Sequence, residues 1–536
     1  MTWQVFTHGR IYTADQAGSW VGAVAVHDGR FFAVGSEEEV RAQVPGGTPE
    51  LDLGGRTATP GLIDAHNHFL QTAESLTWLD ARYPEVSSIA DLLRLVAGAA
   101  ERKAPGQWIY AFGLNYAKLS DGRMPTRWDL DQVSGDHPVL VHHISGHHAL
   151  VNTVALHERA GQNPADPKGG SFLRDAGGQV NGWCLDAAMG IVVPIAVDIG
   201  DHGPNIHFEA EMSKLVDALE EGSREYLSVG LTTVCDAQVT RRELAGYREG
   251  RRQGKLGIRV VCMPLSHQLD AFLATGVAGP LGDDWLSLGP MKFYSDGALS
   301  GGTACFRKPY GESGEFAGIH YHTPEELKSL VGRAQADGWQ VGIHAQGDQA
   351  ITMSLDAIEA AARGSGSRHR LEHAGYPIEE LDRIERLGVV TVNQPGYLYD
   401  FGDMFLSQLG SRAHHLLPLR TQVDRGISVV LSSDSFVTTY RPLHHIAAAV
   451  NRKTQSGQLI GADQALTVEE AVRAYTIEAA RSFFAEDRLG SVEVGKLADL
   501  VVFEEDPFSV PHETLADVGI SMTVLGGNVV YDVARG

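Results

Sequence analysis

The chain has 536 residues, 43% of them hydrophobic, enough to bury a large core, and its length suits two or three domains or one large barrel with additions. Its 44 Lys and Arg against 67 Asp and Glu leave a formal charge of -23, which disfavours a phosphate backbone or an anionic membrane surface as partner and points to a small-molecule substrate. The start, Met1-Thr-Trp-Gln-Val, lacks the basic stretch and apolar run of a secretory signal, and no segment approaches about 18 uninterrupted apolar residues, so a cytoplasmic protein is expected.

The first 57 or so residues alternate apolar and polar in short runs, with Asp28-Gly29 as a hairpin turn. The end has the same texture, in Lys496-Leu-Ala-Asp-Leu-Val-Val-Phe and Thr523-Val-Leu-Gly-Gly-Asn-Val-Val-Tyr. Neither piece is large enough to bury a core alone, so 1–57 and 487–536 are expected to pair into one composite β-sandwich domain. Between them, across 58–486, short β-branched runs alternate with helical patterns, the mark of parallel βα units. Candidate strands end at His66, Asp236, Pro264, Tyr294, His344, His373, Gln394 and Asp434, and that set of eight predicts an α/β fold, a (β/α)8 TIM barrel. The first interval is too long for one crossover, so an inserted cap subdomain is expected at about 70–225. Thr467 and Glu470 form a capping box that opens the last helix. Cys184, Cys235, Cys262 and Cys305 are widely spaced with no CxxC pair, so neither a disulfide framework nor a zinc ribbon is expected. Cys235 and Cys262 read as small core residues, whereas Cys305, in a Gly-rich loop, can face a pocket.

Ile63-Asp-Ala-His66-Asn-His68 follows the Pro60-Gly61 turn and ends a strand, where side chains at i and i+2 share a face and both imidazoles can reach one ion. A pair of polar strand-end histidines is the alternative. His344 and His373 each end a short strand, and either alone reads as a structural histidine; barrel active sites, however, are assembled from the C-terminal ends of several strands. Asp434 ends the eighth candidate strand and can ligate a metal and accept a proton from bound water, or cap the next helix. Gly289-Pro-Met-Lys292-Phe-Tyr-Ser-Asp296 places a lysine inside an apolar strand, where an uncompensated ammonium is costly. Lys292 either pairs with Asp296 or, deprotonated, adds carbon dioxide to become an anionic carbamate ligand.

These residues resemble the amidohydrolase superfamily: His-x-His on strand one, Lys on strand four, His on strands five and six, Asp on strand eight. The resemblance is greatest to the branch of N-substituted formamide deformylases and related metal-dependent hydrolases, from Thr59-Pro-Gly-Leu-Ile-Asp-Ala-His-Asn-His through Lys292-Phe-Tyr-Ser-Asp-Gly and His344-Ala-Gln-Gly-Asp to Gly495-Lys-Leu-Ala-Asp-Leu. It covers nearly the whole chain. The inserted stretch His143-Ile-Ser-Gly-His147-His-Ala-Leu-Val-Asn152 resembles the same branch and makes His147 a candidate substrate contact, with a surface-loop histidine as the alternative. Gly302-Thr-Ala-Cys-Phe-Arg307 resembles a pocket-lining loop, so Arg307 is a candidate for a substrate carboxylate or for the loop's own backbone, and Asp296 is a further substrate-binding candidate. Ser432-Ser-Asp434-Ser-Phe436 departs from the Gly-Ser-Asp usual in relatives and can alter pocket shape.

The resemblance implies that His66, His68 and Asp434 hold one divalent metal and His344 and His373 a second, bridged by carboxylated Lys292. Zinc is the ion expected, although iron, manganese or cobalt suits the same donors. Hydroxide generated at the metal would attack the carbonyl carbon of an amide-type C–N bond, with Asp434 carrying the proton. Rival readings are a mononuclear deacetylase in which unmodified Lys292 pairs with Asp296, a lyase, decarboxylase or isomerase on the same scaffold, and a non-catalytic binding protein. Trp78, Tyr116 and Trp183 in the insertion can line an apolar pocket, though each alone reads as core. Members of the family often form dimers, but no self-complementary patch is recognisable in the sequence.

Overall fold

The structure is a computed structural model, which describes residues 3–144, 146–167, 170–310, 316–361 and 366–535. Ser145, within the His143 to Asn152 segment, lies outside the described residues.

Eight parallel strands carry the site: β1 (Leu62–Asn67), β2 (Leu231–Val239), β3 (Arg259–Pro264), β4 (Met291–Tyr294), β5 (Val341–Ala345), β6 (Arg370–His373), β7 (Val390–Asn393) and β8 (Val429–Leu431). All eight are buried along their whole length, which explains their continuous apolar runs: crossover connections cover parallel strands on both faces. Ile63 and Ala65, alternating with Asp64 and His66, pack in one cluster with Cys235, Ala237, Val261 and Met263.

The hydrogen-bonded ladders form two five-stranded sheets, one containing β1, β2 and β3 and the other running from β4 to β8, so a single closed ladder is not formed. The two arcs meet at both ends. Leu265 after β3 bridges in parallel to Lys292 of β4. At the other seam the Asp434 N–H donates to the His66 carbonyl at 2.9 Å, and the His68 N–H to the Ser435 carbonyl at 2.7 Å.

Two glycines allow the close approaches on which this packing depends. A Cβ on Gly61 would lie 2.3 Å from Thr232 Oγ1, where β1 enters beside β2. One on Gly347 would lie 1.8 Å from the Cys305 carbonyl oxygen, where the loop after β4 crosses the end of β5. Helix α1 (Phe69–Ser75) follows β1 directly, α2 (Met212–Ser228) leads into β2, and α3 (Arg241–Arg252) starts from a Thr240–Glu243 capping box.

Between α1 and α2 lies a six-stranded sheet drawn entirely from residues 79–186, with Val139–His143 and His148–Val151 near its centre. Trp183 is fully buried there and donates from its indole to the Pro125 carbonyl at 2.7 Å. Elsewhere, strands from the two chain ends interleave: Ile520–Leu525 and Leu500–Phe503 continue through Thr57–Pro60 into Arg10–Tyr12. A four-stranded sheet of N-terminal strands shares its core with this one, where Phe6, Val24 and Phe31 meet Leu500, Val502 and Val524. Among the described residues no helix is long and apolar enough to cross a membrane.

Candidate metal centre

His66, His344 and His373 stand at the C-terminal ends of β1, β5 and β6, His68 and Asp434 just beyond β1 and β8, and Lys292 within β4, and all are buried. His66 Nε2 lies 3.5 Å and His68 Nε2 3.1 Å from Asp434 Oδ1. The imidazoles of His66 and His373 are 4.7 Å apart between centroids, and those of His373 and His344 4.4 Å. Among the described residues, His66, His68 and Asp434 are the only group of three side chains with donor atoms close enough together to share an ion.

Neighbouring groups fix the direction in which each imidazole presents its lone pair. His66 Nδ1 lies 2.5 Å from Glu372 Oε2, and Glu372 is held in turn by the Arg370 guanidinium at 2.7 and 2.8 Å. His68 Nδ1 donates to the Ala237 carbonyl at 3.1 Å, and His373 Nδ1 to Gln394 Oε1 at 2.9 Å. With Nδ1 engaged on these three, each Nε2 is left as the donor atom for a cation. His344 is the reverse, since its Nε2 meets the Gly297 carbonyl at 2.9 Å and leaves Nδ1. His66 Nε2, Asp434 Oδ1 and Lys292 Nζ are buried and have no hydrogen-bond partner among the described residues. Two aimed lone pairs, a bare carboxylate oxygen and an unpaired amine are the donor set a divalent cation satisfies.

Burial pushes the His66 imidazole down to about 4, helped by the Lys292 ammonium, and holds His344 and His373 well below the ordinary value. This shift favours the neutral ring, the form that binds metals. Burial would raise the Asp434 carboxyl, but the His68, His373 and His66 imidazoles outweigh it and keep it well below the usual carboxylate range. Burial likewise lowers the Lys292 ammonium to about 8. Both His373 and Asp434 sit at positive φ, +73° and +54°, a left-handed backbone uncommon outside glycine and frequent at functional sites.

The remaining sequence candidates are placed differently from one another. His147 lines the same cavity as His68, His344, His373 and Asp434, with Nδ1 at 2.8 Å from Asp186 Oδ1. Asp296 does not pair with Lys292: its carboxylate accepts the backbone N–H groups of Cys305, Gln346 and Gly347 at 2.8 to 3.0 Å, tying the loop after β4 to the end of β5. It is fully buried, with Oδ1 3.6 Å from His344 Nε2, and organises the loop that follows β4. Arg307 is also outside the cavity, its guanidinium occupied by Glu379, Glu380 and Thr352. The short motifs gave no sign of Tyr397, whose hydroxyl donates to Asp434 Oδ2, or of Gln394 behind His373. Glu372 stood inside the Arg370-Leu-Glu-His373 motif, and a carboxylate one residue before a strand-end histidine was the available signal.

A set of parallel βα units with histidines and an aspartate gathered at the strand ends defines a metal-dependent hydrolase. The Amidohydrolase family model matches residues 50–531, and the chain belongs to that family. It is an enzyme, a hydrolase acting on carbon–nitrogen bonds. It is 30% identical to the N-substituted formamide deformylase of Arthrobacter pascens over 97% of each chain. It is also 30% identical to Protein LONG AFTER FAR-RED 3 of Arabidopsis thaliana, over 98% of this chain and 91% of that one. A crystal structure of an uncharacterized metal-dependent hydrolase from Pyrococcus horikoshii superposes with a TM-score of 0.78 at 25% identity, covering 96% of this chain and 99% of the other.

Proposed function

We propose that this protein cleaves an amide-type C–N bond, of an N-formyl, N-acyl or related amide, at a centre built by His66, His68, Lys292, His344, His373 and Asp434. The observation that carries the reading is the convergence of His66 Nε2, His68 Nε2 and Asp434 Oδ1, two of these three atoms lacking any hydrogen-bond partner among the described residues. A divalent cation held there supplies Lewis acidity and brings the pKa of a bound water towards about 7. Zinc is the ion we infer, because mixed imidazole and carboxylate donors suit it.

Asp434 is the group that takes the proton of the attacking water and returns it to the departing nitrogen. The Tyr397 hydroxyl donates to Oδ2 and so orients the carboxylate, with Oδ1 turned towards His66 and His68. Glu372, backed by Arg370, and Gln394 keep His66 and His373 turned towards the centre. His147, steadied by Asp186, is placed to contact the substrate.

We read Lys292 as carboxylated, a form in which it would join His344 and His373 in holding a second ion. Its amine is buried and unpaired among the described residues, and burial lowers its pKa, so the neutral form is more accessible than for an ordinary lysine. Addition of carbon dioxide forms the N–C bond and releases one proton, leaving an anionic carbamate in place of an uncompensated buried ammonium.

The two strand arcs act as one closed (β/α)8 barrel across 58–486, with the cap inserted at about 70–225, and 1–57 with 487–536 fold as one sandwich; the backbone links at Asp434 and Leu265 and the shared terminal core support this. All four cysteines are unpaired, which suits a cytoplasmic protein. The test is a hydrolysis screen of N-formyl, N-acetyl and N-acyl-amino-acid substrates with metal-loaded protein, alongside a metal count per chain. Two ions and release of a free amine are expected. A loaded protein that cleaves no C–N bond in the panel would contradict the reading.

A further inference from the structure

The cavity at the metal centre measures about 30 Å³, room for one or two water-sized groups. Most of its wall residues bring polar atoms, and Phe436 is the largest of the wholly apolar ones. Its ring lies 5.8 Å from that of His68, so a group bound beside this imidazole meets it. The ring is held from several directions. It packs edge to face on Phe112 at 5.1 Å and on His142 at 5.7 Å, both from the six-stranded sheet of residues 79–186. It shares an apolar cluster with Ile206, a second residue of the cavity wall. At Gly146 the chain passes so near that a Cβ would lie 3.4 Å from Phe436 Cε2. Clasped in this way and only 6% exposed, the ring is a stiff wall, and a wall packed at interior density resists added volume.

Phe436 also borders a second, smaller cavity of about 10 Å³, whose other walls include Phe112, Phe208 and Trp78. It is the one residue that the two cavities have in common, so its side chain is the partition between them. Its place in the chain, two residues after Asp434, keeps that partition at the reacting centre: the Asp434 N–H is bound to the His66 carbonyl, and the Val437 N–H donates to the Asp434 carbonyl at 2.8 Å. A carbonyl carbon positioned for attack carries a nitrogen on one side and an acyl substituent on the other. The amide's polar atoms find partners in the polar lining, whereas an apolar substituent gains from leaving water only against an apolar wall. Phe436 and Ile206 supply that wall, and the cavity in front of it has space for little more than a hydrogen or a methyl group.

We propose that Phe436 is the specificity-determining residue for acyl size: it confines the substituent on the carbonyl carbon to hydrogen or methyl, and the space behind it admits a longer chain once the ring is removed. The proposal deepens the hydrolase reading and rests on it for where the carbonyl carbon lies. Its test is binding without turnover, by calorimetry on the zinc-loaded full chain with formate, acetate, butyrate and hexanoate, whose carboxylates are ligands for the cation. Absence of C–N cleavage would thus sink the hydrolase reading, while the ranking of these acids decides on Phe436. Wild-type protein is expected to bind acetate at least about tenfold more tightly than hexanoate. Phe436→Ala should reverse the order, with hexanoate about tenfold tighter than acetate, because its added methylenes leave water for the opened space. Phe436→Leu, which keeps more of the packing on Phe112, should admit butyrate as well as acetate and still reject hexanoate, and it decides the matter if the alanine variant does not fold. Equal affinity of the wild type for acetate and hexanoate, the wild-type order in folded variants, or no acetate binding to the loaded protein would overturn the proposal.

Discussion

Asp434 combines two demands that a single substitution can separate. Asparagine keeps its volume and one oxygen acceptor but cannot take a proton, so Asp434→Asn should lower kcat by about 10² to 10⁴ in metal-loaded protein. Retention of most of kcat would remove Asp434 as the proton carrier. Glu372→Gln acts one contact further out. It loosens the His66 ring, which it faces at 2.5 Å, and leaves the Arg370 guanidinium buried without its carboxylate. Metal affinity should fall about 10- to 100-fold in a chelator competition, with a loss of about 3 to 5 kcal/mol in stability. His66, His68, His344, His373 and Asp434 stood out in the sequence because each ends or closely follows a short apolar run, and Lys292 because it is a cation inside one. Tyr397 and Gln394 did not, because they act through contacts that only the folded strands create. The alternative of a Lys292–Asp296 ion pair rested on adjacency in sequence, whereas the backbone N–H groups that Asp296 accepts lie 9 to 51 residues away.

At the scale of elements, the strands were readable because parallel strands buried on both faces leave unbroken β-branched runs between helical periods. The six-stranded sheet of residues 79–186 was not, since its short strands pair across intervals that no local pattern marks. Gly347 ties two elements together, and Gly347→Ala would drive a Cβ to 1.8 Å from the Cys305 oxygen. A loss of about 2 to 4 kcal/mol is expected from urea unfolding, and an unchanged midpoint would show that the loop can move away. His369, just before β6, accepts the Val341 N–H on Nδ1 at 3.2 Å, and burial pushes it from 6.5 down to about 4. The unfolded chain therefore binds the extra proton first. This contribution is present in full above about pH 6.5 and is lost as pH falls through 4, by about 2 kcal/mol between pH 7 and 5. His369→Gln should flatten that slope, measured as the difference between wild-type and variant unfolding free energies at the two pH values.

For the whole molecule, the site draws on residues 66 to 434, so cation binding should stabilise both strand arcs together and not one loop. At a free zinc concentration of about 1,000 times Kd the gain is about 4 kcal/mol, and chelation should lower Tm accordingly. The interleaving of strands from the two chain ends ties the termini into the same structure, so that loss should appear as one cooperative transition. The most direct test is anomalous scattering at the zinc edge from crystals of the loaded protein. The account predicts a peak about 2.0 to 2.2 Å from His66 Nε2, His68 Nε2 and an Asp434 oxygen. A loaded crystal with no peak among these three side chains, or with its only peak elsewhere on the chain, would contradict it.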